Sequence, residues 1–429
     1  TGFVTFTSRV AAAVSARMLL SPRAYNLHVE TAPGPRDVLW QNVAVPVQQL
    51  VSRGLLADFF FVLGALLWSG IVFIIQAWTS ASSITNVFPA FSELEGTYTY
   101  TLVTGYLPVV ALLLLISVLP IIFQYVAENY VGIKTRSEVQ RYIMTRYFYY
   151  QVASVYVTVT SGSILEAINK ILRDPYQVLE ILGSALPTVA IYFINLLIVK
   201  VFVSLPLIIL RPWPLFRYLA TLTVVDKRKL TRRELRQGAF QDPENLYGWE
   251  YPTLLMVLMI FLTYSVISPL VSVVAWMYFG GAYVVYKYQS LYTYVPPYES
   301  GGVLFVAAYR RSMIALIVGT ATVMGYTVLK EGYTQAGLLL PLPFIVAVEW
   351  SFVESRFLNA AQTISLERAV DMDALDAPTL SRSFTPGLYT QPALVVGDIG
   401  PEPHRLPGDE EEEDINHVLG RNAQAGGEK

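Results

Sequence analysis

From Leu55 to Trp350 the chain alternates long apolar blocks with short polar connectors, and most blocks approach the roughly 20 residues that a helix needs to cross a bilayer. Eight helical spans are predicted: Leu55 to Trp78, Leu102 to Val126, Tyr147 to Ile168, Ile181 to Leu210, Pro252 to Ser268, Pro269 to Tyr288, Val303 to Leu329 and Ala336 to Trp350. The fifth and sixth meet at Ser268-Pro269 with no connector. A proline there forbids one continuous helix, and the joint length is too great for one crossing, so a tight hairpin is predicted.

The flanks read differently. In residues 1–53, "TGFVTF" alternates like a strand, "SRVAAAVSARMLL" reads as a helix with Ser8 as its N-cap, and "AYNLHVETAPGPRDVLW" reads as a second strand running into a Pro-rich connector. This predicts a small α+β piece before the membrane. "GFVTF" is similar to the base-stacking strand of RNA-recognition folds, but so short an aromatic strand is more often core, and no nucleic-acid partner is predicted. Residues 54–356 form the membrane domain and residues 357–429 a largely disordered acidic tail. From Asp371 onward the helical period is lost, and the block "DEEEED", Asp409 to Asp414, repels itself. A solvated tail is the plain reading, with divalent-ion binding or docking on a basic partner as alternatives.

Composition agrees with a membrane protein and narrows the chemistry. The chain is 54% hydrophobic and 14% charged, against roughly 25% charged in soluble domains. The absence of cysteine excludes disulfides, zinc-thiolate sites and cysteine nucleophiles. His28, His404 and His417 all lie outside the membrane body, and no phosphate-binding glycine loop, GxSxG elbow or HExxH motif occurs. Catalysis and a bound cofactor or metal are therefore not expected. Passage of something through the bilayer is.

Orientation follows from the basic residues of the short loops. Lys134, Arg136, Arg141 and Arg146 mark the second-to-third loop, and Arg211, Arg217, Lys227, Arg228, Lys229, Arg232, Arg233 and Arg236 the fourth-to-fifth. Lys287, Arg310 and Arg311 fall on the same side, whereas the opposite loops hold Lys170, Arg173 and Lys330. The positive-inside rule puts the N-terminal piece, the basic loops and the C-terminus in the cytosol. A multi-pass protein of the plasma membrane, rather than of an internal membrane, is expected. The loop residues Lys227, Arg228, Lys229, Arg232 and Arg233 are expected to face anionic lipid.

Charges inside an apolar span cost at least about 2.5 to 3.5 kcal/mol on insertion scales, so those present mark function or a partner. Glu166 lies near the outer end of the third span, Glu128 at the inner end of the second, and Lys200 within the fourth, while Glu128, with Glu349 and Glu354 at the inner end of the eighth, reads more readily as a headgroup-level charge. Glu166 reads equally as an ion site or as part of the small polar face made by Ser161, Gly162 and Ser163. Lys200 either faces a conduit or snorkels to the headgroups. In the third span Tyr149, Tyr150, Gln151, Ser154, Tyr156, Thr158 and Thr160 are too polar for a lipid-facing helix, which makes it a candidate conduit wall. Prolines at 108, 120, 187 and 206 are expected to break the second and fourth spans, either as hinges or as packing kinks.

The stretches "GFVTFTSRVAAAVSA", "TAPGPRDVLW", "GYLPVVALLLLISVLP", "KTRSEVQRYIMTRYFYYQV", "YSVISPLVSVVAWMYFGGAYVVYKYQ" and "YTYVPPYESGG", in this order, resemble the calcium-permeable stress-gated cation channels, the OSCA or CSC family. The resemblance implies an anoctamin-like helix bundle of eleven transmembrane helices, with a cytosolic domain of RNA-recognition-like topology between the third and fourth. This chain then corresponds to the end of that domain and the last eight helices. The implied fold is an all-α polytopic membrane protein with a partial N-terminal α+β cytosolic piece. The implied function is a mechanically or osmotically gated channel for calcium, potassium and sodium, surrounded by membrane lipids; a homodimer and a monomer both stay open. The pore lies among the first five spans, which brings forward Glu166, Lys200, Gln151, Tyr156, Asn195 and Glu128 as pathway residues and Pro187 and Pro206 as hinges. Two departures stand out. "KVFVS", Lys200 to Ser204, replaces a family pattern of an acidic or polar residue with glycines, and Ile208 stands where a glutamate is common. A scramblase-like lipid groove and a non-conducting membrane subunit are the alternatives.

Overall fold

The computed structural model describes residues 2–18, 29–78, 97–160, 190–224, 244–296, 298–358, 361, 363–383 and 389–391. Helices dominate them. No strand forms among the described residues, and an isolated antiparallel bridge pairs Val38 with Thr135. Residues 2–6, expected as a strand, pair with nothing as a ladder; the segment expected beside them lies largely outside the described residues. A strand needs such a neighbour, and Phe3 instead stacks on Tyr389 at 4.5 Å between ring centroids.

Helix α1 (Arg9–Ser15) begins where the sequence places it, with the Ser8 Oγ accepting the Ala11 N–H at 3.3 Å. It packs against α12 (Leu366–Ser383) in the tail. That helix corrects the expectation that order ends at Asp371. Asp373 supplies the missing reason: its carboxylate accepts the Ser8 hydroxyl at 2.7 Å and the backbone N–H groups of Arg9 and Val10 at 2.9 and 3.1 Å. One tail residue thus satisfies donors that a seven-residue helix leaves open at its start. "DEEEED" lies outside the described residues.

The Pro-rich connector folds into two short 3-10 turns, Pro35–Asp37 and Trp40–Asn42, and is fastened to the membrane bundle. Asp37 is buried and accepts from Ser137, while Asn42 Nδ2 donates to the carbonyls of Glu128 and Ile133 at 2.8 and 2.9 Å.

Helices occupy all the stretches predicted as spans, within the described residues. They are α2 (Val47–Trp78), α3 (Tyr98–Tyr125), α4 (Arg136–Thr160), α5 (residues 190–210), α7 (Tyr247–Tyr264), α8 (Pro269–Tyr292), α9 (Val303–Leu329) and the pair α10 (Tyr333–Leu339) and α11 (Pro341–Val353). Between α5 and α7 runs α6 (Pro212–Val224). Among the described residues five helical stretches, Leu114–Val131, Ala190–Thr221, Pro269–Tyr292, Val303–Leu329 and Tyr333–Leu358, are long and apolar enough to cross a membrane by length and composition. The hairpin between α7 and α8 closes in the turn of residues 265–268, where Ser268 N–H returns to the Tyr264 carbonyl at 2.8 Å.

Two proline expectations need correction. Helix α3 runs through Pro108 and Pro120 without a break. Each proline deletes one backbone donor, and within a packed bundle neighbouring groups absorb that loss. What departs from α geometry is the end of the helix, a π turn at Val126–Val131 closed by Gly132. Gly132 has φ of +79°, and a Cβ there would approach Val45 at 3.2 Å, so both backbone and space require glycine. Pro187 lies outside the described residues, whereas Pro206 sits just beyond a π turn at Lys200–Ser204.

Helix α7 stands at the centre, with α4 against one side and α9 against another. Three buried apolar clusters fill the spaces: Phe193, Leu197, Ile260, Tyr264 and Tyr278 join α5, α7 and α8; Phe123, Ile143 and Tyr150 join α3 and α4; Met144, Phe148, Met259 and Ala315 join α4, α7 and α9. At the tightest approach of α4 to α7, a Cβ on Gly248 would lie 2.5 Å from the Gln140 carbonyl. Gly248 instead uses the closeness, donating its N–H to Gln140 Oε1 at 2.8 Å.

Candidate ion pathway

The middle of α5 explains itself from Pro206 upward. Proline has no N–H to give the carbonyl of residue 202, and the turn before it, Lys200–Ser204, widens into π geometry. Helix α5 then finishes at Arg211 in the left-handed region, φ 46°, followed by Pro212. Beyond the wide turn, α8 holds the segment: Gln289 Nε2 donates to the Ile208 carbonyl at 2.9 Å.

Lys200 opens that π turn and is buried, 9% exposed, rather than reaching the headgroups. Its electrostatic counterpart is Glu250 on α7, and the Glu250 carboxylate accepts the Tyr286 hydroxyl of α8 in a short hydrogen bond. A cation, an anion and a phenol from three helices form one polar layer in an apolar bundle. A buried charge without a counterion is costly, and the Glu250 carboxylate offsets part of that cost for Lys200 through its field, without an ion pair within 4 Å. Chemically the layer offers a lysine, a carboxylate and a phenol between three helices.

Sequence reasoning missed Glu250. The sequence predicts the fifth span from Pro252, which leaves "GWE" outside; the helix starts at Tyr247 and carries Pro252 inside it. A buried lysine in one span calls for a carboxylate near another, and Glu250 was the signal available.

The other expected pathway residues are dispersed. Gln151 on α4 is 1% exposed, and its amide makes no well-formed hydrogen bond, with Tyr147 and Thr253 as its polar surroundings. Asn195 is half-buried one turn and more before Lys200. Glu128 lies in the π turn after α3, where its Oε1 accepts from Gln124 at 3.0 Å and its backbone carbonyl receives Asn42. Tyr150 spends its hydroxyl on the Phe61 carbonyl of α2 at 2.8 Å, so it ties helices together. Tyr156 is helical, in α4. Glu166, Pro187 and the loop residues Lys227, Arg228, Lys229, Arg232 and Arg233 lie outside the described residues. Among the described residues no group of three or more His, Asp or Glu forms a metal-ligand set.

A multi-pass helical bundle with long apolar helices defines an integral membrane protein. Residues 53–327 match the family described as "Calcium-dependent channel, 7TM region, putative phosphate", more than half of the chain, and the chain belongs to that family. It is similar to the CSC1-like protein ERD4 of Brassica juncea, 28% identical over 369 residues, covering 85% of this chain and 50% of that protein. It is also similar to two proteins of Arabidopsis thaliana. Hyperosmolality-gated Ca2+ permeable channel 1.5 is 27% identical over 405 residues, 92% of this chain and 53% of its own length. Channel 1.6 of the same series is 28% identical over 411 residues, 94% and 53%. The chain spans about half the length of these relatives.

Proposed function

We propose that the chain forms the conducting part of a calcium-permeable cation channel that opens under membrane tension or osmotic stress. In this reading all eight helical stretches cross the membrane, the first five surround the conduit, and the C-terminal tail lies in the cytosol of a plasma-membrane protein. The observation that carries it is the Lys200–Glu250–Tyr286 layer, placed where α5 leaves α geometry and meets α7 and α8. The names of the two Arabidopsis relatives support the permeant ion and the osmotic stimulus.

Lys200 holds the path shut through its positive charge near Glu250; separation at the wide turn exposes the carboxylate to cations. Pro206 and Pro187 serve as hinge points. Gln151, Tyr156 and Asn195 line the approach, Glu166 gathers cations at the outer mouth, and Glu128 lies at the inner end. The basic loop carrying Lys227, Arg228, Lys229, Arg232 and Arg233 rests on anionic lipid. The segment before α2 belongs to a cytosolic domain of RNA-recognition-like topology.

The test is electrical. Lys200→Asp places two carboxylates in the layer and should raise cation current and lower the tension needed for opening in suction-stimulated patches, while Lys200→Arg keeps the resting state. Wild-type currents at every tension from a Lys200→Asp protein that reaches the membrane would remove the layer from the gate.

A further inference from the structure

Where α4 and α9 begin, at one end of the bundle, Arg141, Arg146, Arg310 and Arg311 converge on a cavity of about 310 Å³, with Thr145 on its wall. Three of the four have carboxylate partners. Glu138 accepts from Arg141 at 2.9 and 2.5 Å, Asp58 pairs with Arg146, and Glu354 accepts from Arg310 at 2.5 Å. Arg311 is held by neutral acceptors, the Thr145 Oγ1 at 2.6 Å and the Ala307 carbonyl at 3.2 Å. Four guanidiniums against three carboxylates leave one positive charge over.

The hydrogen-bond count leaves donors over too. The Nε atoms of both Arg146 and Arg311 are buried and meet no hydrogen-bond partner. Donors in such a place carry the full cost of desolvation until an acceptor arrives. A guanidinium presents its Nε and one terminal nitrogen as a fork that fits two oxygens of a carboxylate or phosphate. One carboxylate can fill one fork. A tetrahedral phosphoryl group carries enough oxygens to meet both, and it supplies the missing negative charge. The volume is at the small end of the roughly 300–1,000 Å³ of ligand sites, suited to a headgroup.

We infer that this cavity binds a phosphoryl group, carried by an anionic phospholipid of the adjoining leaflet or by a soluble phosphate ester, with Arg311 and Arg146 as its principal ligands. The site joins α4 to α9 and stands apart from the Lys200 layer. Its occupancy is a binding property that can be measured whether or not the chain conducts ions.

The experiment uses the purified full chain in phosphatidylcholine nanodiscs, followed by thermal shift and equilibrium binding. Three probes are compared: phosphatidylinositol 4,5-bisphosphate in the disc, soluble inositol 1,4,5-trisphosphate, and inorganic phosphate. Saturable binding of at least one probe is expected, with a higher Tm. A response to the lipid alone assigns the site to a headgroup, and a response to a soluble probe assigns it to a free ester or ion. Arg311→Gln should weaken the effective probe roughly tenfold or more, about the loss of one charge-assisted bond, and Arg311→Lys should keep only part of the affinity. Because Arg311 also contributes packing, Arg141→Gln, at the half-exposed rim, provides a second variant and should weaken binding while leaving the Tm of the unliganded protein unchanged. The inference is overturned if none of the three probes saturates, or if both Arg→Gln variants bind as the wild type does.

Discussion

The Asp37 carboxylate accepts the Ser137 backbone N–H at 2.8 Å and the Ser137 hydroxyl at 2.5 Å across 100 residues of chain. It acts as a cap for α4 supplied from the connector, and Leu39 N–H to the Lys134 carbonyl at 2.8 Å adds a second stitch beside it. The segment before the membrane is therefore fastened to the first turn of the helix that packs on α7. Replacing Asp37 with alanine leaves the Ser137 N–H buried without a partner and the hydroxyl with only a long 3.5 Å contact to Thr135 Oγ1, at a cost of roughly 1–3 kcal/mol. Hydrogen exchange at Ser137 should accelerate and the Tm of the purified protein fall. Unchanged protection at Ser137 would refute the cap.

The Lys200 and Glu250 pair can be examined as a double-mutant cycle. Lys200→Met alone leaves the half-buried Glu250 carboxylate without the lysine's field, Glu250→Gln alone leaves the buried Lys200 without the carboxylate's, and each single change should lower the Tm. The double variant leaves neither charge and should recover most of the lost Tm. Two single effects that simply add would show that the charges do not interact.

The joint between α1 and α12 should depend on pH through Asp373. Hydrogen bonds from the Ser8 hydroxyl, then from the Arg9 N–H, hold the Asp373 carboxyl below its usual range. A depressed folded-state pKa means that the undocked chain binds the proton more readily, so the joint is fully stable above about pH 4, the ordinary aspartate value. It weakens as the pH falls through the depressed value. Since the chain has no cysteine, a single pair introduced across α1 and α12 reports docking by disulfide formation, and peptides spanning the joint report it by hydrogen exchange at acid pH. Asp373→Asn should abolish the pH dependence; a persistent acid transition in that variant would assign it to another group.

Gly248→Ala and Gly70→Ala form a matched comparison. A methyl on Gly248 meets the Gln140 backbone and forces α4 from α7, an overpacking cost of typically about 1–3 kcal/mol. Gly70 has nothing within 4 Å of an added Cβ, and alanine there should be neutral or slightly stabilising. Equal Tm values for both variants would contradict the close approach of α4 and α7.

Helices were legible where one face or the whole surface is apolar and where prolines or glycines punctuate the chain. Helix α9 has the predicted bounds, Val303–Leu329, because Gly302 precedes it and polar residues follow; α8 begins at Pro269 as predicted. Four of the basic residues assigned to one side, Arg141, Arg146, Arg310 and Arg311, line one cavity. What stayed hidden depends on distant partners. The helix at Leu366–Ser383 contains polar and acidic positions that read as tail until Asp373 is seen against α1. Asp37 reads as a turn residue until Ser137 is beside it. Lys200 raised the right question in the sequence, but its answer, Glu250, lay two residues outside an assumed helix start.

The wide turn at Lys200–Ser204 has a geometric corollary. A helix advances about 100° and 1.5 Å per residue, so a turn holding one surplus residue stores that much rotation as a phase difference between the rods on either side. Reversion to α geometry would release it in a single step, turning the side chains beyond Ser204 to a new azimuth relative to those before Lys200. Intermediate angles have no hydrogen-bonded helix to support them. If the turn moves at all, the far half of α5 indexes like a notched dial, and spin labels placed along residues 205–210 should report two discrete orientations rather than a continuous spread.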